Sequence, residues 1–111
     1  VPELPLLNEL ALERLRRLRA PGDPDLVAEL ARLFVGEARA RFEALEGADP
    51  EACRLAAHSL RGSAGQLGAT RLAAACAALE ADPGPEMLEA ALRELEAVHP
   101  LLRALAEQER D

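Results

Sequence analysis

No lysine, tryptophan or tyrosine occurs among the 111 residues, and the aromatics stop at Phe34 and Phe42. A single core must therefore be built from leucine and alanine. β-Branched residues are few while Ala, Leu, Glu and Arg abound, so the propensities point to helix almost throughout. Without lysine, all 13 positive charges are arginines, set against 20 acids for a net charge of −7. Such a surface repels polyanions, which argues against nucleic acid and anionic membrane as partners. No run of about 18 uncharged apolar residues is present, and the start lacks the basic-then-apolar layout of a signal peptide. A soluble, cytoplasmic domain is the expectation. The start at Val1 suggests a piece of something longer or a processed chain. Cys53 and Cys76 lie far beyond any Cys-x2-Cys spacing, each on an apolar stripe, and read as reduced core thiols rather than a disulfide or metal pair. There is no Gly-x4-Gly-Lys-Ser/Thr loop, kinase glycine loop or carboxylate cluster for Mg²⁺.

Five helices are predicted, at about 6–19, 23–46, 50–67, 69–81 and 85–109. Pro21-Gly22 closes the first. Asp23-Pro24-Asp25 and Asp49-Pro50-Glu51 each supply an N-cap followed by proline in the first turn. Gly47, Gly68 and Asp82-Pro83-Gly84 end the next three. Pro100 lies inside the last, where a missing backbone bond predicts a kink near Val98-His99 rather than two separate helices. Connections this short make consecutive helices antiparallel neighbours. The expected fold is all-α: an antiparallel up-down-up-down four-helix bundle with an additional N-terminal helix, in one domain over residues 1–111.

The most informative stretch runs from Ala57 to Gly68 and contains His58, Arg61, Gly62, Ser63 and Gly65. Its three glycines are not there for helix propensity, since each costs about 1 kcal/mol relative to alanine in a helix interior. At about 100° per residue, Cys53, Ala56, Ala57, Leu60, Ala64 and Leu67 form an apolar stripe. Arg54, His58, Arg61, Gly62 and Gly65 fall together on another face. A histidine pointing away from the core, flanked by positive charge and by side chains too small to cover it, suits an imidazole that accepts a phosphoryl group from another protein.

The run His58-Ser59-Leu60-Arg61-Gly62-Ser63, then Leu67-Gly68, Leu72, Cys76 and Leu79-Glu80, resembles the histidine phosphotransfer (HPt) domain of multistep phosphorelays. That pattern reads His-x-[Leu/Ile]-[Lys/Arg]-Gly-[Ser/Ala], followed by Leu-Gly and Leu-x3-Cys-x2-Leu-Glu. Arg61 stands where lysine is usual, which keeps the charge, and Glu80 where some members place glutamine. The resemblance implies a phosphoryl carrier without its own ATP site or cofactor, with His58 as phosphoacceptor. Its partners would be response-regulator receiver domains whose aspartate and Mg²⁺ supply the remaining chemistry. A cognate or covalently attached sensor histidine kinase is the other implied partner, and free-standing protein and terminal module of a membrane-bound hybrid kinase both stay open. A monomer is expected.

Supporting roles follow from position. Gly62 and Gly65 leave the ring uncovered. Arg61, with Arg54 as second candidate, lies close enough to meet phosphoryl oxygens. Ser63 would bond the backbone or a neighbouring helix. Glu80 either accepts a hydrogen bond from His58 Nδ1–H, leaving Nε2 free to attack, or pairs with an arginine. His99 has no basic neighbours or glycine clearing and is given no role. Leu26 and Leu33, off the main stripe of their helix, are candidates for an apolar docking patch. Two other readings remain: an interaction-only bundle that binds a regulator without passing phosphate, and a metal-binding bundle or enzyme using His58, Glu80 and a cysteine.

Overall fold

In a computed structural model describing residues 4–23 and 25–108, five helices account for most of the chain. They are α1 (Glu9–Arg17), α2 (Leu26–Glu43), α3 (Pro50–Gln66), α4 (Thr70–Ala81) and α5 (Pro85–Glu107). There is no strand among the described residues.

Local chemistry sets where they begin. Asn8 starts α1 by accepting the Leu10 N–H at 3.0 Å, so that helix opens later than hydropathy implied, and Leu6 and Leu7 pack on the core as non-helical chain. Asp25 caps α2 through the N–H groups of Val27 and Ala28, at 3.0 and 3.4 Å. The expected start at Asp23 is thereby corrected: its carboxylate accepts the Ala20 N–H at 3.2 Å and belongs to the preceding turn, and Pro24 lies outside the described residues. Asp49 caps α3 through the Glu51 N–H at 3.1 Å, with Pro50 in the first turn. Helix α2 ends at Glu43, earlier than the expected 46, because the chain turns through Gly47 at φ +72°. Helix α5 continues unbroken through Pro100 as one helix; the expected end near Glu109 lies outside the described residues.

Helix α3 packs mainly on α4, α4 also on α5, and α5 on α2, while α1 rests on α2 and α3. The core is mainly leucine and alanine closed by Phe34 and Phe42, and no polar or charged residue among those described is buried in it. Burying each large aliphatic or aromatic side chain contributes about 1.5–3 kcal/mol. Both cysteines are free and buried. A two-point ion pair, Arg71 Nε to Glu94 Oε1 at 3.0 Å and Nη2 to Oε2 at 3.3 Å, ties α4 to α5. At the corner between α3 and α4, Gly68 at φ +74° lets the chain reverse, and its carbonyl accepts the Asn8 N–H at 2.7 Å. That bond fixes the approach to α1, whose Leu12 and Leu15 then insert into the core. No helix among the described residues is long and apolar enough to cross a membrane.

Candidate functional site

Helix α3 is buried on one side only. Cys53, Ala57, Leu60 and Ala64 are buried at the i, i+4, i+7 and i+11 positions, and this pins the opposite side of α3 outward. On that outer side His58 is 63% exposed. An ideal Cβ added at Gly62 or Gly65 would meet nothing within 4 Å. The two glycines therefore border open space and serve no internal packing.

The ring does not stand alone. Glu80, in the last turn of α4, brings Oε2 to 2.9 Å from His58 Nδ1. A carboxylate only accepts, so Nδ1 carries the proton in this hydrogen bond and a neutral ring keeps its lone pair on Nε2. Arg61, one turn beyond His58, places Nη1 at 3.2 Å from Glu80 Oε1 and Nη2 at 3.4 Å from His58 Nδ1. The Oε1 atom is buried and accepts no hydrogen bond from the described residues; its contact with Arg61 is an ion pair outside hydrogen-bond geometry. Both alternatives posed for Glu80 thus hold at once, one on each carboxylate oxygen. With His58 and Arg61 largely in solvent, their pairing with the half-buried Glu80 contributes only about 0–1 kcal/mol to stability. Its geometry places Nδ1 against the carboxylate and leaves Nε2 without a hydrogen bond among the described residues.

The remaining expected residues separate. Arg54 is tied to Glu51 on its own helix rather than joined to His58 and Glu80. Ser63 is half-buried, and no hydrogen bond from its hydroxyl is found among the described residues. Ser59 makes the inter-helix bond instead, accepting from Arg41 Nη2 at 3.0 Å and joining α3 to α2. Leu33 is 61% exposed, whereas Leu26 turns toward the core. Leu55, 64% exposed and one turn before His58, is the larger apolar surface on α3. The helical angle of Leu55, off the buried stripe, could have found it. Gly36, exposed midway along α2 with open space at its Cβ position, carries the same helix penalty as Gly62.

The described residues hold no group of three His, Cys, Asp or Glu side chains placed to share a metal ion. Burial and loss of hydration push the Cys76 thiol up from 9.0 to about 12, and raise Cys53 as well. Both sit on the core side of their helices.

A helical bundle that offers an exposed histidine beside a carboxylate and a guanidinium is suited to carry a group that another protein delivers. The family model for the Hpt domain matches residues 29–108, which covers α3, α4, α5 and nearly all of α2, so the chain belongs to that family of phosphorelay histidine carriers. Comparisons with curated proteins and with solved structures found no match.

Proposed function

We propose that His58 accepts a phosphoryl group from the aspartyl phosphate of a receiver domain and passes it to the aspartate of another. The observation that carries this reading is the exposed imidazole with Nδ1 committed to Glu80 and Nε2 without a hydrogen bond among the described residues. In the transfer, Nε2 attacks phosphorus in line as the bond to the aspartyl oxygen breaks, and the aspartate leaves as a carboxylate. The ring gains positive charge as the N–P bond forms. Glu80, already holding Nδ1–H, stabilises that charge without moving. Arg61 lies next to Nδ1 and offers its guanidinium to the phosphoryl oxygens as they arrive. Gly62 and Gly65 admit the partner's loops, and Leu55 and Leu33 offer it apolar contact area. Ser63 and Arg54 act outside the transfer itself. Mg²⁺ belongs to the receiver.

The up-down-up-down order of α2 to α5 is part of the same proposal. Arg32 Nη2 donates to the Ala106 carbonyl at 3.2 Å and Arg39 bonds Glu96, which sets the start of α2 against the end of α5 and supports it. The domain works as a cytoplasmic monomer whose contacts with receivers are small and short-lived.

The test is incubation with a panel of phosphorylated receivers. An acid-labile label mapped to His58, absent from His58→Gln while the helical signal is kept, is the expected result. Receiver binding without label in any pairing would replace this reading with the interaction-only bundle.

A further inference from the structure

Helix α1 fills the space between α2 and α3 at the end of the bundle near Gly68, where Leu12 and Leu15 are buried. The opposite end has no such plug among the described residues. There, the turn after α2, the first turns of α3 and α5, and the α4–α5 connection surround a cavity of about 680 Å³. Its apolar wall is Leu45, Cys53, Leu88 and Leu92. Pro50, Pro83, Pro85 and Gly47, the last at φ +72°, set the backbone around it. The space is thus largely preformed and falls in the range of about 300–1,000 Å³ typical of small-molecule sites.

The charge of the cavity decides its ligand. Glu46, Glu86 and Glu89 line it and no arginine or histidine does. Arg93, 3.9 Å from Glu89 on the same helix, lies outside the lining, and Glu46 and Glu86 have no cationic partner among the described residues. Opposing them are the N-termini of α3 and α5, each equivalent to roughly half a positive charge, the former already answered by Asp49. Even with Glu89 answered by Arg93, the full charges of Glu46 and Glu86 outweigh that. We propose that this cavity binds a small amphiphilic cation, with the apolar body against Leu45, Leu88 and Leu92 and the cationic head among Glu46, Glu86 and Glu89. The inference does not depend on the chemistry of His58.

Decyltrimethylammonium below its micelle concentration is the probe, with decyl sulfate as the anion of equal tail, in isothermal titration of the full chain and methyl NMR. The expected result is saturable one-to-one binding of the cation, shifts centred on the Leu45, Leu88 and Leu92 methyls, and at least tenfold weaker binding of the sulfate. The surface variant Glu46→Gln/Glu86→Gln/Glu89→Gln, checked for unchanged helicity, should bind the cation roughly tenfold more weakly, and Leu92→Trp should close the space. Equal affinity for cation and anion, unchanged affinity in the triple variant, or shifts spread over the surface without saturation would each overturn the proposal.

Discussion

Glu80 Oε2 lies 2.9 Å from His58 Nδ1, so the exposed imidazole on α3 is steered by a carboxylate from the last turn of α4. Arg61 closes the group by pairing with the other oxygen of the same carboxylate at 3.2 Å. The arrangement puts one negative charge between two cation-capable groups. The ring nitrogen facing Glu80 is thereby occupied, and the other nitrogen has no hydrogen bond among the described residues.

Glu80→Gln keeps an acceptor for Nδ1–H and should hold transfer within a few-fold of the parent. Glu80→Ala removes it and should slow transfer about tenfold or more, because the ring then samples both tautomers and several rotamers. Nitrogen-15 shifts of the His58 ring distinguish orientation from folding. The parent and Gln variants should show the Nδ1–H tautomer and the Ala variant a mixture. An Ala variant that transfers at the parent rate with a mixed tautomer would remove Glu80 from the mechanism.

Gly62 separates stability from docking. Its Cβ position is open and its backbone is helical, so Gly62→Ala should stabilise the fold by about 0.5–1 kcal/mol in urea unfolding. Gly62→Gln should be at least as stable as the parent, by the same propensity, and slow transfer at least tenfold by projecting over the ring's approach. Gly65→Leu should do the same. Unimpeded transfer in both bulky variants would show that receivers approach from another side.

How much of this was legible in the sequence depends on the range of the interaction. The buried stripe Cys53, Ala57, Leu60 and Ala64 is a property of one helix and of its period, and it alone turns His58 outward. Distances between helices are not written in any single periodicity. The two-sided contact of Glu80 needed the end of α4 to lie against the middle of α3, and the Arg41–Ser59 bond needed the end of α2 to come within side-chain reach of α3. Caps were ambiguous where two candidates stood two residues apart. Asp23 and Asp25 both offer an acceptor, and the turn at Ala20 takes the first. Leu26 lay off the stripe by angle, yet it sits in the first turn of α2, where it packs on the core.

Gly68 should tolerate no side chain. At φ +74° an L-residue is strained by about 1–2 kcal/mol, and a Cβ there would meet the Asn8 carbonyl oxygen at 2.7 Å and Ala11 Cβ at 3.3 Å. Backbone cannot yield as a flexible side chain does, so Gly68→Ala should lose about 2 kcal/mol or more in urea unfolding. The loss should come with faster amide exchange in α1, whose approach hangs on the Asn8 N–H to Gly68 carbonyl bond. A variant as stable as the parent would mean that the corner shifts freely.

Cys76 makes the fold alkali-sensitive. Its side chain is fully buried, and loss of hydration pushes the thiol from 9.0 up to about 12. A group raised in the folded state contributes stability that is complete below its unfolded pKa and is lost as pH rises toward the folded one. Between about pH 9 and pH 12 the unfolded chain has released this proton and the folded chain still holds it, so unfolding is drawn forward. Cys53, raised in the same direction, adds a contribution of the same sign. The urea midpoint should therefore fall between about pH 8 and about pH 11, and the fall should be smaller in Cys76→Ala, although that variant starts from a lower midpoint because it leaves a small void. An identical fall in parent and Cys76→Ala would assign the alkaline loss to other groups.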